Sequence, residues 1–98
     1  MAATPALFYR GAAATSSATL YTASTKAVLT DIVVSNTNAN QQYVTMTVDG
    51  INILPTVPIS PNTVITIQPK TVIAATKILA GFATSTDVKF HISGVEIS

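Results

Sequence analysis

Gln42-Tyr43-Val44-Thr45-Met46-Thr47-Val48-Asp49-Gly50-Ile51-Asn52-Ile53-Leu54 is the stretch that decides the fold of this chain. From Gln42 to Val48 apolar and polar residues alternate. A strand with that period turns Val44, Met46 and Val48 to one face and Tyr43, Thr45 and Thr47 to the other. Asp49-Gly50 supplies the two positive-φ positions of a type I′ turn, and apolar residues resume directly after it. The stretch predicts a β-hairpin.

The same period extends in both directions. Upstream, Asn36-Thr37-Asn38-Ala39-Asn40 is a turn, since Asn tolerates left-handed backbone and bonds locally. Before it, Lys26 to Ser35 is the longest strand, with Val28, Ile32 and Val34 on one face and Leu29, Asp31 and Val33 on the other. Both faces are largely apolar, which predicts a central strand covered on each side. Thr19-Leu20-Tyr21-Thr22 is a shorter one. Downstream, Pro55, Pro58 and Pro61 keep residues 55–62 out of a sheet interior, leaving a crossing connection or an irregular edge.

Thr63 to Gln68 and Thr71 to Ile73 follow as short strands. In Lys77 to Thr84 the alternation assigns Ile78, Ala80 and Phe82 to the core. After a turn at Ser85-Thr86-Asp87 the last strand points Val88, Phe90 and Ile92 inward and Lys89, His91 and Ser93 outward, with Gly94 marking a bulge. Seven to eight short strands, spaced by about ten residues and with no helix, predict an all-β fold: a single-domain antiparallel β-sandwich, jelly-roll-like.

Residues 1–17 stand apart as an extended N-terminal arm, and 18–98 form the β-sandwich domain. Ala12-Ala13-Ala14-Thr15-Ser16-Ser17 has no period and no large apolar group. Ahead of it, Leu7-Phe8-Tyr9 make an apolar anchor followed by Arg10-Gly11. Phe8, Tyr9 and Arg10 are the candidate partner-binding residues, because aromatic and Arg side chains dominate interface energetics.

The chain has 98 residues, 48% hydrophobic and 9% charged. That length holds one domain, and the balance is the reverse of a disordered chain's. Without Cys there is neither a disulfide framework nor a thiolate metal site. A monomer of this size usually keeps about 25–35% of its surface charged. Here Thr, Ser, Asn and Gln stand in, as on a Thr-rich β surface or on one covered by neighbours in an assembly. Arg10, Lys26, Lys70, Lys77 and Lys89 are never adjacent, so a nucleic-acid partner is not expected. Apolar runs are too short to span a membrane, and Arg10 interrupts the only stretch that could serve as a secretion signal. No membrane association is expected.

Catalysis would have to centre on His91, the only His. Along one strand Asp87 lies about 13 Å from it and Ser93 about 6.6 Å, beyond hydrogen-bond reach. The four acids are dispersed. Asn36, Asn38 and Asn40 alternate as in a calcium loop but bring no charge and no closing Glu. No enzyme activity, cofactor or metal is expected. Tyr21 and Tyr43 on outward faces offer rings for a sugar, which keeps a carbohydrate-binding module as an alternative.

Residues 19–97 resemble small virion modules of tailed bacteriophages, similar to capsid cement (decoration) proteins. The resemblance lies in Thr19-Leu20-Tyr21-Thr22, Ile32-Val33-Val34-Ser35-Asn36-Thr37, Val44-Thr45-Met46-Thr47-Val48-Asp49-Gly50 and Ile92-Ser93-Gly94-Val95-Glu96-Ile97. The chain departs at Ala23-Ser24-Thr25, where the family often has Pro-Ala-Gly, and at Ala75-Thr76-Lys77, where it often has Ala-Gly-Asp. The resemblance implies a structural virion protein that clamps the outer surface of an icosahedral head. Its implied partner is the major capsid protein, its implied assembly a homotrimer, and its implied location the capsid surface after synthesis in the host cytoplasm. Related modules occur in tails, fibres and baseplates, which the resemblance leaves as an alternative.

Overall fold

Alternating apolar residues, punctuated by Asn, Pro and Asp-Gly, fold here into strands alone. The computed structural model describes residues 3–97, and among them nine strands are formed. They are β1 (Ala3–Ala12), β2 (Ala18–Thr22), β3 (Lys26–Asn36), β4 (Gln42–Val48), β5 (Ile51–Ile59), β6 (Thr63–Ile67), β7 (Thr71–Ile73), β8 (Ile78–Ala83) and β9 (Val88–Ile97).

Two antiparallel sheets result. One has the order β1-β9-β3-β6, with β7 also paired to β3, and the other has the order β2-β8-β4-β5. β6 and β7 lie end to end along β3, split by Gln68-Pro69-Lys70, so the nine strands make eight topological positions. This strand order is that of a double-sheet jelly roll. The expected sandwich is formed.

The segment expected to be an arm is instead part of the sheet. Ala3 to Ala12 runs antiparallel to β9 from the pair Ala3–Ile97 to the pair Ala12–Lys89. Small residues such as Ala6, Gly11 and Ala12 gave no period to read. The strand forms because β9 would otherwise expose a long edge of unpaired amides, and a neighbouring backbone satisfies them whatever side chains it carries.

Of five register shifts, three set which side chains of β1, β2 and β3 face the core. In β3 an extra residue, Thr30, sits between Leu29 and Asp31 opposite the pair Gly94–Ser93 of β9. The bulge reverses the strand's phase: Ala27 and Leu29 are buried before it, and Ile32, Val34 and Asn36 after it. Val28 therefore faces outward and Leu29 inward, contrary to a strict two-residue reading. In β1 the extra residue is Phe8, and in β2 it is Leu20. These shifts turn Phe8 and Tyr9, and likewise Leu20 and Tyr21, toward the space between the sheets.

β8 corrects a second expectation. Leu79, Gly81 and Ala83 face the core, while Ile78 and Phe82 are half-buried on the outside. All six residues of β8 are apolar or Gly, so alternation alone could not choose a phase. Space chooses it: a Cβ at Gly81 would lie 2.9 Å from Met46 Cγ and 3.2 Å from Leu20 Cδ1. No large side chain fits there.

Val44, Met46, Leu54 and Leu79 of one sheet join Leu29, Ile32, Val34, Phe90 and Ile92 of the other in one core. Full burial of each such side chain contributes about 1.5–3 kcal/mol. The Asp49-Gly50 hairpin forms as expected, with φ of 54° and 78°. β5 continues through Pro55 and Pro58 as the outer strand of its sheet, the irregular-edge outcome of the two foreseen.

One polar side chain, Asn36, is buried with the core at 1% exposure. Its Nδ2 donates to the carbonyls of Asn40, Ile59 and Ser60, and its Oδ1 accepts from the Asn38 amide. The Asn-rich turn is thereby tied to the end of β5.

Candidate functional site

The outer face of the five-stranded sheet is built from residues that the register places side by side. Pro5 pairs with Val95, Val95 with Val28 and Val28 with Val72, making an apolar row across four strands. Val72 is 56% exposed, and Leu7, one row over, is 51% exposed. A second row is polar apart from Val33: Arg10 pairs with His91, His91 with Val33 and Val33 with Thr66. The predicted second cover over β3 is absent among the described residues. Val28 and Val33 are shielded only by their cross-strand neighbours.

Between the rows the face is dented. The bulges at Phe8 and Thr30 flank β9 on both sides near Ser93 and Gly94, which carry little or no side chain. A depression of about 540 Å³ opens there, lined among others by Leu7, Arg10, Asp31, His91 and Ser93. Asp31 Oδ1 accepts from Gln68 Nε2 at 3.3 Å, and Oδ2 accepts from Thr30 Oγ1 at 3.2 Å.

Charge is unevenly spread over the molecule. Arg10, Lys26 and Lys89 project from this face by their register with His91, Ile97 and Ser35, against one acid, Asp31. The face therefore carries a net +2 within a chain whose total is +1.

The three residues expected to bind a partner part company in the structure. Phe8 is buried at 7% exposure, its ring laid over Gly94 and stacked on Tyr21. It belongs to the core because the bulge turns it inward. Tyr9 is half-buried, edge-on to Phe90 at 6.3 Å, and its hydroxyl donates to the Ala12 carbonyl at 2.8 Å. Arg10 alone is exposed.

Tyr21 is likewise not on an outward face. Its hydroxyl donates to Glu96 Oε2 at 2.5 Å. Burial, then this hydrogen bond and the carboxylate's charge, push its pKa up to about 12. Tyr43 is exposed two strands away across β8, so the two rings form no common platform.

Asp87 bonds to Asn38 Nδ2 at 3.0 Å, in the turn region away from His91's depression. The acid that comes beside Ser93 and His91 is Asp31, brought there by the β3–β9 register. Its oxygens are engaged by Thr30 and Gln68, and no hydrogen bond joins it to His91 or Ser93. The Oδ1 atoms of Asn36 and Asn38 accept backbone amides of the turn itself.

Sequence reasoning missed Leu7, Val28, Val72 and Val95 as surface residues. The one available signal was the apolar second face of β3, which has no covering layer among the described residues. Compared with known protein families, curated proteins and solved structures, the chain matches none.

Proposed function

We propose that this chain is a structural virion module, a capsid cement (decoration) protein that docks on the outer surface of an icosahedral phage head. The reading draws on the sequence resemblance, and one observation carries it: the Pro5–Val95–Val28–Val72 row beside Leu7, an apolar surface held on a sheet. Such a row loses water when covered, at about 25 cal/mol per Å², and a sheet spends little conformational entropy on ordering it. Jelly rolls occur in viral capsid proteins, a fold-level association that adds modest weight. The major capsid protein is the proposed partner and a homotrimer the proposed assembly.

The test is co-sedimentation of the purified chain with phage heads stripped of decoration, alongside purified tails. Saturable binding to heads in a fixed ratio, lost in Val28→Glu and Val72→Glu, is the expected result. Binding to tails alone would move the module to the tail, fibre or baseplate. Light scattering of the free chain checks for the trimer.

A further inference from the structure

We infer that the depression between β1, β9 and β3 is a carboxylate-binding site, which receives an acidic side chain of the docked protein partner with Arg10 as its anchor. The inference rests on the docking reading above and adds the chemistry of the contact.

Arg10 and His91 are cross-strand partners on the outer face, so their side chains leave the sheet about 5 Å apart. Among the described residues neither has a side-chain hydrogen bond or ion pair; the ion pair formed is Lys77 with Asp49, elsewhere. Lys89 is already tied down, its Nζ donating to the Thr86 carbonyl at 2.7 Å. Asp31 makes no ion pair with Arg10. It lies across β9 and one row along, roughly 12 Å away between backbones, and its oxygens accept from Gln68 and Thr30.

The depression thus presents the unused donors of Arg10 and His91, with Asp31 at its far side, on a face of net +2. A guanidinium matches a carboxylate with two parallel hydrogen bonds, and the neighbouring imidazole offers a third. Leu7, Pro5 and Val95 line the other end, so the fitting ligand is an acidic residue next to an aliphatic one. A duplex nucleic acid fits less well. Its affinity needs several phosphates engaged together, and here the apolar row separates Lys26 from Arg10 and Lys89.

The test uses the intact chain and two capped dipeptides, acetyl-Leu-Glu-amide and acetyl-Leu-Gln-amide, which differ in one charge. Backbone amide resonances of Arg10, His91, Ser93 and Gly94 are followed by NMR. The Glu peptide should shift them saturably with a Kd of roughly 1–10 mM, and the Gln peptide should bind about fivefold more weakly. Arg10→Gln, an exposed substitution, should remove the difference while leaving the unfolding temperature unchanged. Equal response to both peptides, shifts centred elsewhere, or no saturable shift by about 50 mM would overturn the site. Preferential displacement by a short DNA duplex would overturn it as well. Because no phage head is present, a negative result here leaves head docking standing, and a positive one survives failure of the head assay.

Discussion

The rings of Phe8 and Tyr21 stack with centroids 3.9 Å apart and planes 12° from parallel. Phe8 belongs to the first strand of one sheet and Tyr21 to the first strand of the other, so the pair bolts the two sheets together beside Gly94 and Glu96 of β9. Each ring reaches that position through a bulge in its own strand. Phe8→Ala should accordingly lower stability by about 3–5 kcal/mol, read as a shift of the urea midpoint. A chain lacking residues 1–12 should lose cooperative unfolding altogether, where removal of a loose arm would leave the transition intact.

Gly94 is the floor on which the Phe8 ring rests. A Cβ there would stand 2.6 Å from two Phe8 ring carbons and 2.2 Å from the Val28 carbonyl oxygen. Gly94→Ala should cost about 2–3 kcal/mol in chemical denaturation. The Phe8→Ala background should not relieve it, because the backbone contact remains when the ring is gone.

Tyr21 makes stability depend on alkaline pH. Its folded pKa of about 12 exceeds the ordinary 10.0, because burial and the Glu96 carboxylate both oppose the phenolate. The raised value favours the protonated fold, so this contribution is complete below pH 10 and disappears as pH rises toward 12. The unfolding midpoint of the native chain should fall across that window more steeply than that of Tyr21→Phe. Equal slopes would remove the assignment.

Asn36 holds four hydrogen bonds, and truncating it releases three carbonyls and one amide, of which the Ile59 carbonyl is the buried one. Asn36→Ala should cost about 2–4 kcal/mol. Amide exchange in residues 37–41 should rise further than elsewhere in the molecule, because the turn loses its tie to Ile59 and Ser60.

Thr76 sits at φ 71°, a left-handed conformation costly for a β-branched side chain, on an exposed loop. Its amide still bonds to the Ala23 carbonyl at 2.8 Å. Thr76→Asn keeps that bond and relieves the backbone, and should raise stability by about 0.5–1 kcal/mol in thermal unfolding.

The hairpin at Asp49-Gly50, the inward set of β4 and the inward set of β9 were legible because each rests on strict alternation or on a turn dipeptide with one geometry. The phase of β3 was half legible. Thr30 is unremarkable in composition, and an inserted residue leaves no trace in a pattern whose two faces are both apolar. β8 was ambiguous for a similar reason, and Gly81 resolves it only through neighbours in other strands. β1 was missed because pairing to an exposed strand edge needs backbone and not side-chain period. The depression around Arg10 shares that origin: Asp31, Arg10 and Ser93 lie on three strands far apart in sequence, and only the register brings them to one face.

The interruption of the outermost rail of the five-stranded sheet at Gln68-Pro69-Lys70 has a bearing on life at high local concentration. A stacking strand from another copy would find a run of five residues, then a proline and a left-handed Lys70 at φ 50°, then a run of three. The opposite sheet ends on β5, which runs unbroken but lacks amide donors at Pro55 and Pro58. Fibril growth by edge-to-edge addition needs an unbroken line of free amides, and neither of these borders offers one. Crowded copies are thereby kept from joining strands at these two borders, which leaves β1 and β2 as the margins where addition could occur.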